Sequence, residues 1–260
     1  MPWFGLGVWK SESGEETENA IKYALDAGYV HIDTASLYKN EESVGKAVNG
    51  YGIPRKEVFV TTKLWNSDQG YDSTFKALET SLDKMQMDYV DLYLIHWPKG
   101  ELSVETWKAM EEINEKGLAK AIGVSNFMVN QLEEFLPHCK IVPAVNQVEY
   151  HPYLTLTDLR EYCQKQGIQL EAWSPIMQGE VTKVPELIEI GEKYGKSPVQ
   201  VTLRWDLQNS VVTIPKSVKQ HRIADNGNIF DFELSEEDMA KINGLNRDHR
   251  FGPDPLNFDF

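Results

Sequence analysis

Residues 31–42 read His31-Ile32-Asp33-Thr34-Ala35-Ser36-Leu37-Tyr38-Lys39-Asn40-Glu41-Glu42. The run continues a short apolar strand that begins at Tyr29, and it ends on residues typical of a helix start, Asn40-Glu41-Glu42. Asp33 and Tyr38 lie five residues apart on this strand-to-helix turn. A carboxylate at a strand end beside a phenol on a loop has the composition of an acid–base site. The run therefore predicts one β-α unit and a candidate centre for chemistry.

The same alternation of strand and helix extends along the whole chain. Apolar stripes at helical spacing predict helices, for example Phe75, Leu78, Leu82 and Met85. Near-continuous apolar runs predict strands that are covered on both faces. There are eight such runs, at residues 4–9, 29–35, 58–64, 90–97, 119–126, 145–150, 168–175 and 211–216.

Residues that typically cap or end helices predict where several helices begin or end. Gly167 ends a helix predicted over residues 155–166, and Ser197 followed by Pro198 is typical of a helix start. Ser235-Glu236-Glu237-Asp238 begins a further helix after the eighth strand, which we expect to run to about Asn246. The remaining residues, 247–260, are rich in Gly, Pro and Asp and predict an ordered tail or loop.

Eight strands alternating with helices imply right-handed crossovers and a parallel sheet. An open, doubly wound sheet is the competing arrangement, but its phosphate-binding fingerprint is missing. Gly5-Leu6-Gly7 lacks the third glycine and stands at the start of the chain. The length of 260 residues suits a (β/α)8 barrel, which typically has about 250. We therefore predict an α/β fold in which residues 1–260 form a single (β/α)8 TIM-barrel domain.

Composition argues against several classes of partner. The net charge is −14 without a basic run, which disfavours nucleic acid as a partner. No segment is long and apolar enough to cross a membrane, and the first residues lack the pattern of a signal peptide. Cys139 and Cys163 lie far apart without C-x-x-C spacing, which indicates reduced, buried thiols. The expectation is a cytoplasmic protein, monomeric like many barrels.

Functional side chains of a barrel collect at the C-terminal ends of the strands. The second strand ends at Asp33 and leads to Tyr38, the third ends at Lys63, and the fourth ends at His96. An ammonium beside a tyrosine lowers its pKa from about 10, and a carboxylate keeps that ammonium charged. Such a tyrosine can donate a proton to a carbonyl oxygen, which the histidine can orient. Because no side chain supplies hydride, this chemistry needs a cofactor.

Three other classes remain open at this point. A metal-dependent hydrolase could use His31, Asp33, His96 and His151, although no acid ends the eighth strand and no Glu-x-x-His cluster is present. A Schiff-base aldolase could use Lys63 as its nucleophile. A nucleotide-sensing subunit would bind the cofactor with little turnover.

Motifs spread over nearly the whole chain share one further feature, a likeness to a known family. They are Gly5-Leu6-Gly7-Val8-Trp9, Asp33-Thr34-Ala35 with Tyr38-Lys39-Asn40-Glu41, Lys63 with Trp65, Leu94-Ile95-His96-Trp97-Pro98, Gly123-Val124-Ser125-Asn126-Phe127, Asn146-Gln147-Val148-Glu149-Tyr150-His151-Pro152, Ala172-Trp173-Ser174-Pro175 and Ile214-Pro215-Lys216-Ser217. In these motifs the chain resembles the aldo-keto reductase family over nearly its whole length. The resemblance implies that Asp33, Tyr38, Lys63 and His96 form a catalytic tetrad with Tyr38 as general acid. It also implies NADPH, bound extended across the mouth of the barrel.

The resemblance assigns a set of cofactor positions one by one. Ser125, Asn126 and Gln147 match residues that hold the carboxamide of the nicotinamide, and Trp173 occupies the ring-stacking position. Positions beside the pyrophosphate are Ser174, Pro175, Ile176 and Gln178. Positions around the 2′-phosphate and the adenine are Ile214, Pro215, Lys216, Ser217, Arg222, Asp225 and Asn226. A lysine, a hydroxyl and an arginine after the eighth strand are also suited to bind a phosphate group, because all three can donate hydrogen bonds to its oxygens.

The resemblance further places Trp9, Trp65 and Trp97 around the substrate with His96, as an apolar funnel closed on one side by the tail near Phe251. It implies reduction of aldehydes and ketones such as glyoxal, methylglyoxal, aromatic aldehydes and quinones. Keto-sugars and prostaglandin H2 are the alternative substrates within the family. Relatives usually carry an N-terminal hairpin that plugs the barrel floor. The sequence starts almost inside strand one, so we expect no such plug, at some cost in stability.

Overall fold

The computed structural model describes residues 1–258. Within these residues, strands and helices alternate as the pattern predicts. The strands are β1 (Leu6–Gly7), β2 (His31–Asp33), β3 (Phe59–Leu64), β4 (Val90–Ile95), β5 (Ala119–Ser125), β6 (Val145–Glu149), β7 (Gln169–Trp173) and β8 (Val212–Thr213). The helices are α1 (Glu15–Asp26), α2 (Glu41–Gly50), α3 (Tyr71–Met85), α4 (Glu101–Glu115), α5 (Val129–Phe135), α6 (Thr157–Gln166), α7 (Pro185–Tyr194), α8 (Pro198–Gln208), α9 (Gln220–Gly227) and α10 (Glu236–Asn243).

The strands form one parallel sheet in which β1 to β8 follow each other in chain order. The last strand returns to the first through a parallel bridge between Phe4 and Thr213. At this seam Gly5 N donates to Thr213 O at 3.0 Å, and Thr213 N donates to Trp3 O at 3.1 Å. The predicted (β/α)8 barrel is thereby confirmed.

All eight strands lie inside the predicted runs, and all are shorter than those runs. β1 has two residues instead of the six at 4–9, and β8 has two instead of the six at 211–216. Proline accounts for the C-terminal limits of several strands, because it has no N–H to donate to a neighbouring strand. Pro98, Pro175 and Pro215 stand just beyond β4, β7 and β8. These limits turn the chain away from the sheet at the barrel mouth.

The predicted helix starts are mostly confirmed, with small shifts. Ser197 caps α8 by accepting a hydrogen bond from Gln200 N at 3.2 Å. Ser235 caps α10, which ends at Asn243 rather than near 246. Helix α6 ends before Gly167, whose φ of +73° suits a residue without a side chain. Helices α7 and α9 have no counterpart in the sequence prediction.

The main hydrophobic core lies between the outer face of the sheet and the surrounding helices. A small second cluster, Leu92, Leu94 and Val145, fills one side of the barrel interior. At the N-terminal end of the barrel an apolar cavity of about 350 Å³ is bordered by Met1, Trp3, Phe59, Leu92, Ala121, Ala144, Val145, Gln169 and Val212. The barrel thus has an apolar floor, and its polar interior side chains lie nearer the opposite end.

Two further expectations from the sequence concern the cysteines and membrane-spanning segments. Both cysteines are free, but only Cys163 is buried, whereas Cys139 is partly exposed. Among residues 1–258, no helix combines the length and the apolar character needed to cross a membrane.

Candidate active site

The centre of the site is a buried ion pair on neighbouring strands. Lys63 Nζ on β3 donates to Asp33 Oδ1 on β2 at 2.6 Å and to Thr34 O at 2.9 Å. Both side chains are almost fully buried, so each compensates the lost hydration of the other. Burial by itself lowers the pKa of Lys63, but the charge of Asp33, its hydrogen bond and the other acidic groups nearby together outweigh burial, so the pKa is raised. Lys63 is therefore held as an ammonium.

Tyr38 reaches this ion pair from the short 3-10 turn Ser36–Tyr38 that follows β2. Its Oη lies 3.4 Å from Lys63 Nζ. Ser36 Oγ anchors the turn by donating to Lys63 O at 3.0 Å. The turn also depends on Asn40, whose side chain accepts from Thr34 Oγ1 at 2.8 Å and donates to Val8 O at 3.0 Å. The residues between strand and helix thus place the phenol over the ammonium.

The expectation that the ammonium of Lys63 lowers the pKa of Tyr38 is correct for that one interaction. It is wrong for the net pKa, which also depends on burial and on the nearby acidic groups. Burial raises the pKa of Tyr38, Lys63 lowers it, Asp33 raises it, and the net result is a raised pKa. In this site the free energy that a phenolate loses with its hydration is larger than the free energy that it gains from the nearby ammonium. Tyr38 is therefore protonated at neutral pH.

His96 follows β4 and faces Tyr38, with 5.8 Å between the ring centroids. Its backbone N donates to Leu64 O at 3.1 Å, and Asn126 Nδ2 donates to its carbonyl oxygen at 3.0 Å. Burial, together with the charge of Lys63, holds the pKa of His96 well below its ordinary value. The ring is therefore a neutral imidazole, and its Nδ1 is buried without a hydrogen-bond partner among residues 1–258.

Three tryptophans were predicted to surround the substrate, and they take different positions. The ring of Trp9 lies against that of Tyr38, with 4.6 Å between ring centroids and 45° between the ring planes, and Trp9 is 46% exposed. Trp65 contacts the ring of His96 at 5.2 Å. Trp97 is only 7% exposed and packs against Phe258 of the tail at 4.9 Å. Trp9 and Trp65 therefore border the phenol and the imidazole directly, while the tail covers Trp97.

Four predicted carboxamide and stacking residues join the tetrad through hydrogen bonds. Trp173 Nε1 donates to Asn126 Oδ1 at 2.9 Å, and Asn126 Nδ2 donates to Ser125 Oγ at 3.1 Å. Ser125 Oγ donates to Gln147 O at 2.7 Å. Gln147 Nε2 donates to Asp33 Oδ2 at 2.8 Å, which completes the connection. The ends of β5, β6 and β7 are thus held in one network with β2.

The other predicted cofactor positions lie on the loops after β7 and β8 and on α9. Ser174 and Gln178 have positive φ angles of 51° and 54°, so the loop after β7 bends sharply beside the mouth; Pro175 and Ile176 lie between them. Lys216 Nζ contacts Lys10 O at 3.3 Å, and Ser217 Oγ accepts from Lys219 N at 3.2 Å. The remaining members are Ile214, Pro215 and Asn226, which are buried, and Arg222 and Asp225, which are exposed.

Two buried glutamates were missed from the sequence. Glu171 on β7 accepts a hydrogen bond from Gln147 Nε2 at 3.0 Å. Glu149 on β6 accepts from Phe251 N at 2.7 Å and from Gly252 N at 3.2 Å, which holds the tail beside Trp173. An acidic residue within an apolar strand is the signal that could have found both, because such residues are rarely buried without a partner.

The geometry speaks against two of the alternative chemistries. His31 contacts Thr61, whereas His151 contacts Glu149, so the histidines do not converge with His96. Among residues 1–258, no group of three or more His, Cys, Asp or Glu side chains is placed to hold a metal ion. A Schiff-base nucleophile needs a free amine, whereas Lys63 is held as an ammonium by its ion pair.

The fold and the site together define an α/β barrel with a buried lysine–aspartate pair beneath a phenol at its C-terminal mouth. The sequence model of the aldo/keto reductase family matches residues 4–247, and the chain belongs to that family. Members of the family typically depend on a nicotinamide cofactor. The protein is therefore an oxidoreductase, which disfavours the nucleotide-sensing alternative.

Individual relatives agree with this assignment. A glyoxal reductase of Bacillus subtilis (strain 168) is 57% identical over 255 residues, covering 98% of this chain and 92% of the relative. The crystal structure of MGS-M4, an aldo-keto reductase enzyme from a Medee basin deep-sea metagenome library, matches with a TM-score of 0.98 at 45% identity, covering 100% of this chain and 97% of that one. A Bombyx mori aldo-keto reductase in complex with NADP matches with a TM-score of 0.90 at 38% identity, covering 96% and 91%.

Proposed function

We propose that this protein is an NADPH-dependent carbonyl reductase that converts small aldehydes and ketones to alcohols. One observation carries the proposal: Lys63 Nζ contacts both Asp33 Oδ1 and Tyr38 Oη, at 2.6 and 3.4 Å. A protonated phenol over a charged ammonium can give up its proton, since the ammonium stabilises the phenolate that remains. The relative named glyoxal reductase supports glyoxal as a substrate, and methylglyoxal is a close chemical analogue.

The residues present fit NADPH. Gln147 Oε1 accepts no hydrogen bond from residues 1–258 and is open to the carboxamide of the nicotinamide, together with Ser125 and Asn126. Lys216 and Arg222 form no ion pair with any residue in this range, although the protein as a whole carries a charge of −14. Two unpaired cations after β8 suit the 2′-phosphate, and local positive charge attracts a dinucleotide to an acidic protein. When bound, NADPH supplies the hydride.

Each member of the tetrad has a separate task in this proposal. Tyr38 donates its proton to the carbonyl oxygen, and Lys63 stabilises the phenolate that results. Asp33 keeps Lys63 charged. His96, as a neutral imidazole, holds the carbonyl oxygen by a hydrogen bond and fixes the substrate beneath Trp9. The aromatic border made by Trp9 and Trp65 keeps water away from this position.

Substitution of the phenol tests the proposal. We expect Tyr38→Phe to lower kcat for NADPH-dependent reduction of glyoxal or methylglyoxal by at least about 100-fold, because the proton donor is lost. Binding of NADPH, followed by quenching of tryptophan fluorescence, should change by less than about threefold. The matched control is Tyr51→Phe, which removes an exposed phenol that contacts Asp26. A Tyr38→Phe enzyme with full activity would refute the proposed role of Tyr38.

A second experiment addresses the preference for NADPH over NADH. We expect Lys216→Ala and Arg222→Ala each to weaken NADPH binding about tenfold, because each removes a charge-assisted contact to the 2′-phosphate. Affinity for NADH, which lacks that phosphate, should change little. Lys76→Ala on α3 is a control for the loss of one positive charge far from β8. Equal losses for both cofactors would contradict the assignment of the two cations.

The proposal includes a single-domain, monomeric enzyme that needs no nucleic acid or membrane. The monomer is supported by the composition of the site: one chain supplies all four side chains of the tetrad and the tail that covers Trp97. Light scattering coupled to gel filtration should therefore give the mass of one chain, about 29.7 kDa, in fully active samples.

A further inference from the structure

The interior of the barrel holds a carboxyl group next to the site that the proposed reaction does not use. Glu171 on β7 is fully buried, and its register partner on β6 is Gln147. Side chains of register partners point to the same face of a sheet, so the two are neighbours. Gln147 Nε2 lies 3.0 Å from Glu171 Oε2 and 2.8 Å from Asp33 Oδ2. One amide nitrogen thus donates to two carboxyl groups.

These two hydrogen bonds determine which way the amide of Gln147 faces. A primary amide has two N–H donors on nitrogen and an acceptor oxygen. Both donors of Gln147 are used inside the barrel, and Oε1 is the polar atom of the side chain that remains for a ligand. If the amide were reversed, its oxygen would face both carboxyl groups. A neutral Glu171 could donate to that oxygen, so the reversed orientation is excluded only if Asp33 does not donate as well. Asp33 cannot readily do so, because it is the ion-pair partner of Lys63.

The groups around Glu171 are His31 and Asp33 from β2, Lys63 from β3 and Tyr38 above them. His31 Nε2 lies 3.1 Å from Thr61 Oγ1 and 3.7 Å from Glu171 Oε1. Burial lowers the pKa of His31 to about 3, so this ring is neutral. Burial and the charge of Asp33 raise the pKa of Glu171 to about 8. Glu171 is therefore mainly a neutral carboxyl at pH 7, and Asp33 remains the counter-ion of Lys63.

We propose that Glu171 is a positioning residue that holds the amide of Gln147 so that Oε1 is offered to the N–H2 of the nicotinamide carboxamide. This inference rests on the proposed function as an NADPH-dependent reductase. Glu171 acts through Gln147 and touches neither cofactor nor substrate. Its effect is therefore confined to the nicotinamide end of the cofactor, while the adenine end depends on residues after β8.

That division supplies the test, because 2′,5′-ADP contains the adenine end and no nicotinamide. Glu171→Leu has similar size and offers no acceptor to Gln147. We expect it to weaken NADPH binding about two- to tenfold, the range for one lost hydrogen bond, with 2′,5′-ADP unchanged within twofold. Glu171→Gln keeps an acceptor oxygen at the same place, so it should bind NADPH within twofold of the wild type. Both ligands are measured by calorimetry or tryptophan fluorescence, without turnover.

Asp206→Asn on α8 is the matched control, because Asp206 is another fully buried carboxyl and contacts Thr213 rather than Gln147. Glu171→Met replaces the leucine variant if the latter does not fold, as judged by circular dichroism. Unchanged NADPH binding in the apolar variant, or equal weakening of NADPH and 2′,5′-ADP, overturns the positioning role. Failure of Glu171→Gln to restore NADPH binding also overturns it. If the wild type binds 2′,5′-ADP as tightly as NADPH, the inference fails while the proposed function stands. If the wild type binds neither, the proposed function fails and the inference fails with it.

Discussion

Glu171 illustrates how a single residue ties the site to the stability of the whole protein. The pKa of a glutamate is ordinarily near 4.5, and in the folded protein that of Glu171 is raised to about 8. Between these values the unfolded chain releases the proton and the folded chain keeps it. The free energy of unfolding therefore falls as the pH rises, by up to about 1.4 kcal/mol per pH unit for this one proton.

We predict that Glu171→Gln removes this dependence, because glutamine does not titrate. Relative to the wild type, the variant should gain stability as the pH is raised from 5.5 to 7.5, and the difference should level off above about 8. Urea unfolding at several pH values, followed by circular dichroism, measures it. Stability curves of wild type and variant that run parallel through this range would show that Glu171 is ionised in the folded state.

At the same scale, the sequence allowed Asp33, Tyr38, Lys63 and His96 to be selected because each stands at or just after the end of a strand. Their roles as a group follow from the rule that such ends share one face of a barrel. Glu171 stands inside its strand, and its partner Gln147 is 24 residues away in sequence. Register between two strands decides that contact, and no local pattern specifies register. The raised pKa of Tyr38 was likewise missed because it depends on burial.

At the scale of the element, the packing of α2 against α3 depends on one glycine. A Cβ at Gly45 would overlap the backbone carbonyl of Met85 at the end of α3. Gly50, at the end of the same helix α2, has no atom within 4 Å of a Cβ. The two positions therefore separate close helix packing from the general preference of helices for alanine over glycine.

We predict that Gly45→Ala lowers the free energy of unfolding by about 2 kcal/mol or more, because the two helices must move apart. Gly50→Ala should be neutral or stabilising by up to about 1 kcal/mol. Thermal or urea unfolding of the two variants side by side gives both values. A Gly45→Ala protein as stable as Gly50→Ala would mean that the contact with α3 adjusts without cost.

The positions of the strands could be predicted at this scale, whereas their lengths could not. Apolar runs show where a chain is covered on both faces, and all eight runs contain a strand. Hydrogen bonding between strands decides where a strand stops, and that depends on the neighbour as well as on the run itself. At β8 the ladder stops before Pro215, so Lys216 belongs to the loop and is available to a ligand.

At the scale of the whole molecule, the two ends of the barrel have separate tasks. Trp3 borders the apolar cavity at the floor and is 48% exposed, while Trp9 covers Tyr38 at the mouth and is 46% exposed. The two residues have the same side chain and almost the same exposure. They differ in which end of β1 they occupy.

We predict that Trp9→Ala raises KM for methylglyoxal about five- to twentyfold, because it removes the aromatic wall beside the phenol. Trp3→Ala should leave KM and kcat within twofold and act on stability alone. Steady-state kinetics with NADPH, together with melting temperatures, compares the two variants. Equal effects of both on KM would contradict the location of the substrate at the mouth.

The hydrogen bonds between β1 and β8 have a consequence for the nascent chain during synthesis. The backbone of residues 3–5 bonds to Thr213, about 210 residues later. At a synthesis rate of roughly 5 to 20 residues per second, β8 is synthesised roughly 10 to 40 s after β1. Throughout that interval one edge of β1 is open to other nascent chains. Because β1 is only two residues long, it offers them few groups with which to pair.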